Sequence, residues 1–358
     1  MTMPLVTTLI DTYNHELFIE DAIRSVLHQD FPASEMEILV VDDGSSDRTR
    51  SIVEKFVPRV RLLRKTNGGQ ASAFNAAIPE AKGQVIAFLD GDDWWAPGKL
   101  TAVTNVLERE PAVGLVGHGL TLVDLDGRQR TETPREQYRF RIESQENAKK
   151  FRLSRGFLGT SRMTYRREVL RRIGQVPEVL KFEADEYLFT LGGIASEILI
   201  LPEALTYYRL HDKNLYQITK GTVEGTRRKQ EILAALAKVL REHLKEQGLA
   251  EEIANVIVEC VEVEADLLRL TLDSGFPWET IAVERKVMRI FHSDASFWQR
   301  LFSYARLIPA FAMPAAAYYG WRGRLSSFAP YKKFRERFFP FPVPGHVERR
   351  EKPAARLD

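Results

Sequence analysis

Three carboxylates directly follow an apolar run in the segment FLDGDDWW, residues 88–95. Asp90, Asp92 and Asp93 would repel one another at this spacing, which predicts a cationic partner. Carboxylates at an Asp-x-Asp spacing near a strand end can share a hard divalent cation such as Mg²⁺ or Mn²⁺. Gly91 would let the backbone turn tightly and approach a bulky ligand. The alternative is an acidic turn in which Asp92 caps the following helix, and the segment taken alone favours that alternative.

Polar residues also follow three other apolar runs within the first hundred residues. They form the segments DTYN at 11–14, DDGS at 42–45 and TNGG at 66–69. Ligand sites of open α/β sheets collect at the carboxyl ends of the strands. These three segments and the aspartates at 90–93 are therefore predicted to gather along one rim. Their convergence supports a site more strongly than any one motif does.

The apolar runs alternate with helix patterns in a βαβαβαβ order. The predicted strands are 4–10, 37–43, 59–65 and 84–90, and the predicted helices are 17–29, 46–56 and 70–83. This order predicts an α/β fold with a mostly parallel sheet flanked by helices. Residues 97–220 mix strand, hairpin and short-helix patterns, with a strand pair predicted around Pro202. They suit a second half that covers the rim and supplies an acceptor pocket.

The composition changes after residue 220. Residues 221–296 are predicted to form a helical extension, in which helices 231–244 and 252–272 make a hairpin around Gly248. Residues 297–358 form an aromatic and basic tail that is expected to be poorly ordered at its end. The apolar run 307–321 is too short to cross a bilayer and is interrupted by two prolines.

The bulk composition, 358 residues with 44% hydrophobic and 28% charged, is that of a globular protein. One cysteine, Cys260, excludes an intramolecular disulfide and a cysteine-based zinc site. No signal peptide is apparent, so a cytoplasmic location is expected.

The C-terminal tail is basic, since residues 298–358 carry 12 basic and 4 acidic residues. We expect residues 297–340 to lie on an anionic membrane surface, at the inner face of the cytoplasmic membrane. Packing on the catalytic domain or a homodimer contact of the C-terminal helices is the alternative. No nucleic-acid partner is expected, because no recognition motif is present.

The motifs TYN at 12–14, VVDDGSSD at 40–47, NGG with AFNAAI at 67–78 and FLDGDDWW at 88–95 occur together in this order. Over residues 1 to about 215 the chain resembles family 2 glycosyltransferases, which implies a catalytic domain over residues 1–220. The resemblance implies the GT-A nucleotide-sugar-binding fold, with residues 1–96 as the nucleotide-binding half and residues 97–220 as the acceptor half. It also implies transfer of a sugar from a nucleotide diphosphate, with inversion and with Mn²⁺ or Mg²⁺.

The resemblance implies a role for each rim segment. Tyr13, beside Thr12, would lie against the nucleobase. Asp43 would accept a hydrogen bond from the base, which suits the imide N–H of uracil and favours a UDP-sugar. The remaining donor contacts would come from Asn67, Gly68, Asp90 and Gly91, and the metal ligands from Asp92, Asp90 and Asp93. The alternatives are an ordinary strand-end tyrosine, a turn or helix cap for one acid of the pair Asp42 and Asp43, and loop-shaping asparagines at 67 and 75.

An inverting transferase needs a base on the acceptor side. In the family this base is an acid that begins a helix after the central strand of the second half. The matching stretch here is FEADEYLFTL, which assigns Asp185 as the base and Glu186 as the second choice. Ala184 replaces the acid that the family usually has before the base. The alternative is that both acids only stabilise the start of the helix.

The segment YYRLHDKN at 207–214 resembles the family's Tyr-Arg-x-His stretch. Arg209 could bind the diphosphate, and His211 could ligate the metal. A surface strand with a solvated histidine is equally compatible with the pattern. Trp94 and Trp95 offer flat faces for a sugar, although core packing is the expected role for one of them. Two departures from the family are Asp11, where Pro or Thr is usual, and Phe74, where Arg often stands.

The sequence therefore predicts a metal-dependent inverting glycosyltransferase, with a glycan or lipid-linked acceptor and a role in cell-envelope polysaccharide synthesis. A nucleotidyltransferase is the first rival, but such enzymes carry a Gly-rich basic loop after the first strand and IDTYNHE offers none. A non-catalytic scaffold that binds nucleotide sugars is the second rival. Retention of Asp43, Asp90, Asp92 and Asp185 together argues against that reading.

Overall fold

A computed structural model describes residues 5–211, 214, 222–272, 275, 277–291, 296–328, 330 and 347–352. The chain divides into two compact units, residues 1–212 with 346–358 and residues 213–345. The predicted domain boundary at 220 and residues 331–340 of the predicted membrane segment lie outside the described residues. The division at 296 stays a prediction.

The first unit contains one mixed sheet flanked by helices. Its strands are β1 (Val6–Thr12), β2 (Met36–Asp42), β3 (Arg61–Arg64), β4 (Val85–Asp90), β5 (Trp94–Trp95), β6 (Val113–Val123), β7 (Gln129–Pro134), β8 (Tyr138–Phe140), β9 (Thr164–Arg166), β10 (Glu197–Arg209) and β11 (Val347–Lys352). Its helices are α1 (Ile19–Leu27), α2 (Thr49–Glu54), α3 (Gln70–Ala77), α4 (Lys99–Arg109), α5 (Gln145–Ser154), α6 (Arg167–Ile173) and α7 (Ala184–Ala195). The α/β prediction is confirmed.

The sheet runs in the order β11-β7-β6-β9-β4-β1-β2-β3. Strand β10 lies off this path and pairs with β6 and with the short strands β5 and β8. Strands β3, β2, β1 and β4 are parallel, as predicted. Strand β9 is antiparallel to both β4 and β6, and it joins the two halves of the sheet. The carboxyl ends of β1, β2 and β4 consequently share one edge.

Strand β1 is covered on both faces, because five consecutive residues from Val6 to Ile10 are buried. Helix α1 covers one face through Ile19, Ala22, Ile23 and Val26, which recur at the spacing of one helical face. The register between β1 and β4 sets Asp11 beside Asp90. The rigid centre of the sheet therefore fixes the backbone from which the rim side chains project.

One sequence prediction is wrong in detail. The strand pair predicted around Pro202 is a single strand, β10, which accommodates the proline in register shifts between Leu201 and Thr206. A proline removes one ladder hydrogen bond, and a bulge accommodates that loss without ending the strand.

The tail contributes one strand to the first unit, because Val347–Lys352 form β11 and pair with β7. The end of the tail, which was expected to be poorly ordered, lies outside the described residues.

The second unit is helical. Its elements are α8 (Val223–Glu246), α9 (Glu251–Leu272), α10 (Pro277–Phe291), α11 (Phe297–Ala305) and α12 (Ala315–Ser327), with a 3-10 helix at Ile308–Phe311. Helices α8 and α9 form the predicted hairpin, and the turn places Gly248 at φ +69°. Within the described part of the chain, every helix is too short or too polar to span a bilayer.

Candidate active site

The predicted rim exists, and backbone hydrogen bonds hold it together. The N–H of Asp43 donates to the carbonyl of Thr12 at 3.0 Å, and the N–H of Gly91 donates to the carbonyl of Asp11 at 2.9 Å. A Cβ on Gly91 would approach Oγ1 of Thr12 to 2.7 Å and Nδ1 of His15 to 2.8 Å. Glycine at this position therefore allows the turn after β4 to close on the end of β1.

Carboxylate oxygens of Asp90, Asp92 and Asp93 lie within 4.8 Å of one another. Burial, together with the charges of Asp11 and Asp92, raises the pKa of Asp90 well above its usual value. Like charges at this density are favourable only when a cation or protons compensate them. Oxygen donors at this separation suit Mg²⁺ or Mn²⁺, so the donor set fits the predicted metal.

Asp92 contacts two imidazoles. Its Oδ2 is 3.0 Å from Nε2 of His211 and 3.9 Å from Nε2 of His15. Burial acts to raise the pKa of Asp92, but His15 and His211 outweigh it and lower the pKa below its usual value. His211 is buried and its ring lies 4.6 Å from that of Phe18. The structure thus brings the predicted ligands Asp92 and His211 together.

Asp93 is fully buried and anchors the end of β10. Its Oδ2 accepts from the hydroxyl of Ser161 at 2.6 Å, and its Oδ1 accepts from the N–H of Arg209 at 3.0 Å. Burial and the charge of Asp92 raise the pKa of Asp93 to about 8. Each oxygen therefore already has one partner, and the predicted role of Asp93 as a metal ligand stays a prediction.

Asp43 organises the loop after β3. The buried carboxylate accepts from Nζ of Lys65 at 2.6 Å, from the N–H of Gly68 at 3.0 Å and from the N–H of Gly69 at 2.7 Å. Asp42 instead accepts from the N–H of Ser45 at 2.8 Å, which is the turn role expected for one acid of this pair. The contact of Asp43 with a nucleobase stays a prediction.

Tyr13 projects from the same rim with 45% of its surface exposed. The next residue, Asn14, is at φ +57°, and its side chain accepts from the N–H of Ser46 at 2.8 Å. Thr12 is buried, and its hydroxyl lies 3.2 Å from Nδ1 of His15. The contact of the exposed Tyr13 ring with a nucleobase stays a prediction.

Asp185 lies in the first turn of α7, in the part of the first unit that follows β9. Its Oδ2 accepts from the N–H of Thr160 at 3.1 Å and from its hydroxyl at 3.2 Å. Burial and the charge of Glu183 raise the pKa of Asp185. Its charge also raises the pKa of Asp11 and of Asp90, which places it on the side of the rim aspartates. A carboxylate with a raised pKa is suited to accept a proton near neutral pH.

Glu186 has a different environment from its neighbour. It is buried and forms a close ion pair with the guanidinium of Arg155. A carboxylate held by an arginine is a weaker proton acceptor. Of the two candidate bases, the geometry favours Asp185.

Arg209 occupies a packed position at the end of β10. Its Nε donates to the carbonyl of Asp92 at 3.0 Å, and its Nη2 donates to Oδ2 of Asp21 at 2.7 Å. The guanidinium also lies 4.8 Å from the ring centre of Phe18 and 4.5 Å from that of Trp94. These contacts make Arg209 a support of the Asp92 backbone, and its binding to a diphosphate stays a prediction.

The two tryptophans have separate environments. Trp95 is buried, and its indole N–H donates to the carbonyl of Ser161 at 3.0 Å, which is the expected core role for one of the pair. Trp94 is half-buried and stacks on Tyr207, with ring centres 5.1 Å apart. Phe74 packs edge-on against Phe88 in the core. The residue that stands where the family often has an arginine therefore contributes to core packing.

Sequence reasoning placed Asp11 on the rim without a role, and it missed His15 and Ser161. Asp11 has a buried Oδ1 without a hydrogen-bond partner among the described residues. Burial and the charge of Asp92 raise its pKa well above the usual value. His15 lies near Asp92 as described above, and Ser161 joins Asp90 and Asp93 from the second half. The position of Asp11 followed from the equivalence of strand ends, whereas Ser161 had no sequence signal.

Asn75 has the structural role that the sequence favoured. Its side chain exchanges two hydrogen bonds of 2.8 Å with the backbone of Val176. Asn67 is exposed at the tip of the loop beside Gly68.

The family model for glycosyl transferase family 2 matches residues 7–174, which include β1 to β4, the rim aspartates and Ser161. The fold and the rim together define a GT-A glycosyltransferase domain. Residues 7–174 therefore form a glycosyltransferase family 2 domain.

Two curated relatives illustrate the similarity. An uncharacterized glycosyltransferase of Nostoc sp. is 33% identical over 218 residues, which cover 58% of this chain and 66% of the relative. A putative teichuronic acid biosynthesis glycosyltransferase of Bacillus subtilis, TuaG, is 39% identical over 126 residues, 34% of this chain and 49% of the relative. The chain thus spans less than two thirds of the length of either relative.

Two solved structures share the fold. One is Staphylococcus aureus TarS 1–349 in complex with UDP-GlcNAc, with a TM-score of 0.51 and 19% identity over 86% of this chain and 91% of that one. The other is a mannosyltransferase of Pyrobaculum calidifontis in complex with GDP-Man and Mn²⁺, with a TM-score of 0.53 and 19% identity over 93% of this chain and 84% of that one. Identities this low establish the fold alone.

Proposed function

We propose that this chain is a metal-dependent inverting glycosyltransferase that moves a sugar from a nucleotide diphosphate to a glycan or lipid-linked acceptor. One observation carries the proposal: backbone hydrogen bonds and the β1–β4 register bring the ends of β1, β2 and β4 together, so that Asp43, Asp90 and Asp92 follow strand ends on one edge. The charges of Asp92, Asp185 and Asp43 also raise the pKa of Asp11 on that edge, which supports a common site for the proposed nucleobase-binding, metal-binding and proton-accepting carboxylates. The similarity to a putative teichuronic acid transferase supports cell-envelope polysaccharide as the product.

The donor is proposed to be a UDP-sugar. Tyr13 offers an exposed ring for the base, and Lys65 with the Gly68 and Gly69 amides holds Asp43 in one orientation. A fixed carboxylate beside an aromatic face suits the imide of uracil. The similar structures hold UDP-GlcNAc and GDP-Man, which supports a nucleotide sugar as the class of donor.

Asp92, with Asp90, Asp93 and His211, would hold Mn²⁺ or Mg²⁺. A divalent cation bound there would stabilise the negative charge of the leaving diphosphate. Arg209 would position this site through the carbonyl of Asp92, since its guanidinium donates to that oxygen. The oxygen donors and the buried imidazole support a cation, and Mn²⁺ in one similar structure is consistent with it.

Asp185 would act as the general base. It would take the proton of the acceptor hydroxyl while that oxygen attacks the anomeric carbon from the side opposite the diphosphate. Thr160 holds the carboxylate through its N–H and its hydroxyl, which fixes the oxygen that receives the proton. Attack opposite the leaving group inverts the anomeric centre.

The second unit supports a location at an anionic membrane surface, at the inner face of the cytoplasmic membrane. Its helix α11 carries exposed aromatic residues, of which Phe297 and Trp298 are more than two-thirds exposed. Such a location would bring the first unit close to a lipid-linked acceptor. A homodimer through the C-terminal helices is the competing arrangement.

The proposal is tested by donor hydrolysis and transfer. The full chain is incubated with UDP-, GDP- and dTDP-sugars, with Mn²⁺, with Mg²⁺ or with a chelator, and the released nucleotide diphosphate is measured. We expect release of UDP that requires metal and is lost in Asp92→Asn. Release from none of the donors, with no stabilisation by any nucleotide diphosphate, would contradict the proposal.

A further inference from the structure

Helix α11 of the second unit directs its apolar side chains away from the fold. Phe297, Trp298 and Leu301 are 72%, 68% and 48% exposed, whereas Ser303 is the one residue of this helix that is buried. An amphipathic helix in a globular protein normally buries its apolar face. The arrangement in α11 is the reverse, and the described part of the chain leaves its apolar face uncovered.

The exposed apolar residues include Tyr304 of the same helix, at 48%, and continue past its end to Ile308 and Phe311, at 67% and 68%. We call these three residues, together with Phe297, Trp298 and Leu301, the aromatic face. Large exposed apolar side chains grouped in this way indicate an interaction surface.

A basic groove of about 640 Å³ lies beside the aromatic face. Its cations are Arg285, Lys286 and Arg289 from α10 and Arg300 from α11, and Tyr304 belongs to both surfaces. The residues that line the groove include no acid. Outside the lining, Glu259 pairs with Arg289 at 2.9 Å, and Asp266 lies 4.0 Å from Lys286.

We propose that the aromatic face and the groove together dock the second unit on an anionic bilayer, with a lipid phosphate in the groove. Aromatic side chains at the level of the headgroups and flanking cations are the two features that bind interfacial helices to anionic lipid. A second copy of this chain is the competing partner, and the oligomeric state is therefore measured in the test below. Lipid docking rests on the membrane location in the proposed function, and it is independent of the sugar-transfer chemistry.

The test compares three double variants of the full chain by flotation with vesicles of phosphatidylcholine alone or mixed with phosphatidylglycerol. In the groove variant, Arg285→Gln with Arg300→Gln, partition onto anionic vesicles falls roughly 30-fold, at about 5-fold for each cation. The matched control, Arg227→Gln with Lys238→Gln, removes two exposed cations of α8 and stays within about 2-fold of the unmodified chain. In the face variant, Phe297→Ser with Trp298→Ser, binding is lost although these exposed side chains do not support the core.

A direct reading comes from vesicles with brominated acyl chains, which quench tryptophan at the lipid interface. Quenching is expected in the unmodified chain and is reduced in Trp298→Phe, which keeps an aromatic ring at that position. Equal flotation of the unmodified chain and the groove variant would overturn the proposal, as would equal losses in the groove variant and the α8 control. Light scattering that shows a dimer in the unmodified chain and a monomer in the face variant would also overturn it. Metal-dependent UDP release is measured on each variant without vesicles, so that a failed membrane proposal is distinguished from a failed enzyme.

Discussion

Replacement of Asp185 by asparagine removes the charge of the proposed base while the local fold is retained. The asparagine carbonyl can still accept from the N–H and hydroxyl of Thr160, which bond to the carboxylate at 3.1 and 3.2 Å. General base catalysis contributes about 10²- to 10⁴-fold to a rate. We therefore expect kcat for sugar transfer to fall by about that factor, which corresponds to about 3–5 kcal/mol in activation free energy.

The assay separates chemistry from binding. Transfer is followed with a radiolabelled UDP-sugar and a glycan acceptor, while the affinity for UDP with Mn²⁺ is measured by calorimetry. Because Asp185 accepts a proton from the acceptor and does not hold the nucleotide in this account, the UDP affinity of Asp185→Asn stays within about 2-fold of the unmodified value.

Glu186→Gln is the matched control. Its carboxylate pairs with the largely buried Arg155, so this variant loses about 1–3 kcal/mol of stability but keeps its transfer rate near neutral pH. Transfer by Asp185→Asn within about 10-fold of the unmodified rate, together with a large loss in Glu186→Gln, would refute the assignment of the base.

The pH dependence of the transfer rate tests the role of Asp185 independently. Burial and the charge of Glu183 raise the pKa of Asp185. A base must be unprotonated to act, so the transfer rate falls as the pH falls through this raised pKa, at a higher pH than for an ordinary aspartate. Any acidic limb that remains in Asp185→Asn comes from the proposed metal ligands, since the pKa values of Asp90 and Asp93 are also raised. Identical acidic limbs in the two proteins would contradict the assignment.

Three further predictions concern the rim and its support. In Asp92→Asn, UDP with Mn²⁺ should no longer raise the melting temperature, because the variant loses the carboxylate oxygen that lies near His211 and His15. An unchanged rise would contradict the metal site. Ser161→Ala removes the hydroxyl that donates to Asp93 and should lower the free energy of unfolding in urea by about 1–3 kcal/mol, whereas no loss would show that the bond is unimportant. Lys99 is fully buried, and burial with the charge of Arg162 lowers its pKa well below the usual 10.5, so unfolding takes up a proton. The free energy of unfolding should therefore rise with pH between the lowered pKa of Lys99 and 10.5, by at most about 1.4 kcal/mol per pH unit. Lys99→Met should remove this pH dependence. An unchanged pH dependence in the variant would contradict the lowered pKa of Lys99.

The sequence predicted the parts of the rim that follow from strand ends. Parallel strands leave their polar ends on one edge, and the prediction for Asp43, Asp90 and Asp92 needed nothing further. The β1–β4 register also places Asp11 beside Asp90, a pairing that depends on the register of two distant segments. Local pattern thus predicted where the carboxylates meet.

Contacts between distant segments could not be predicted from local pattern. Ser161 lies 68 residues from Asp93 along the chain, and it reaches that carboxylate because β9 pairs with both β4 and β6. Arg209 has the residue type of a phosphate ligand, but the structure surrounds it with Asp21, Phe18 and Trp94. Tertiary packing determines which charged groups remain open to a ligand.

The most direct test of the account is anomalous diffraction from crystals of the full chain grown with UDP and Mn²⁺. We expect one manganese peak within coordination distance of a carboxylate oxygen of Asp92 and of the diphosphate, with Asp185 facing the same cleft. Manganese bound elsewhere, or UDP held in a cleft that excludes Asp43 and Asp185, would contradict the claim that these carboxylates surround one sugar nucleotide.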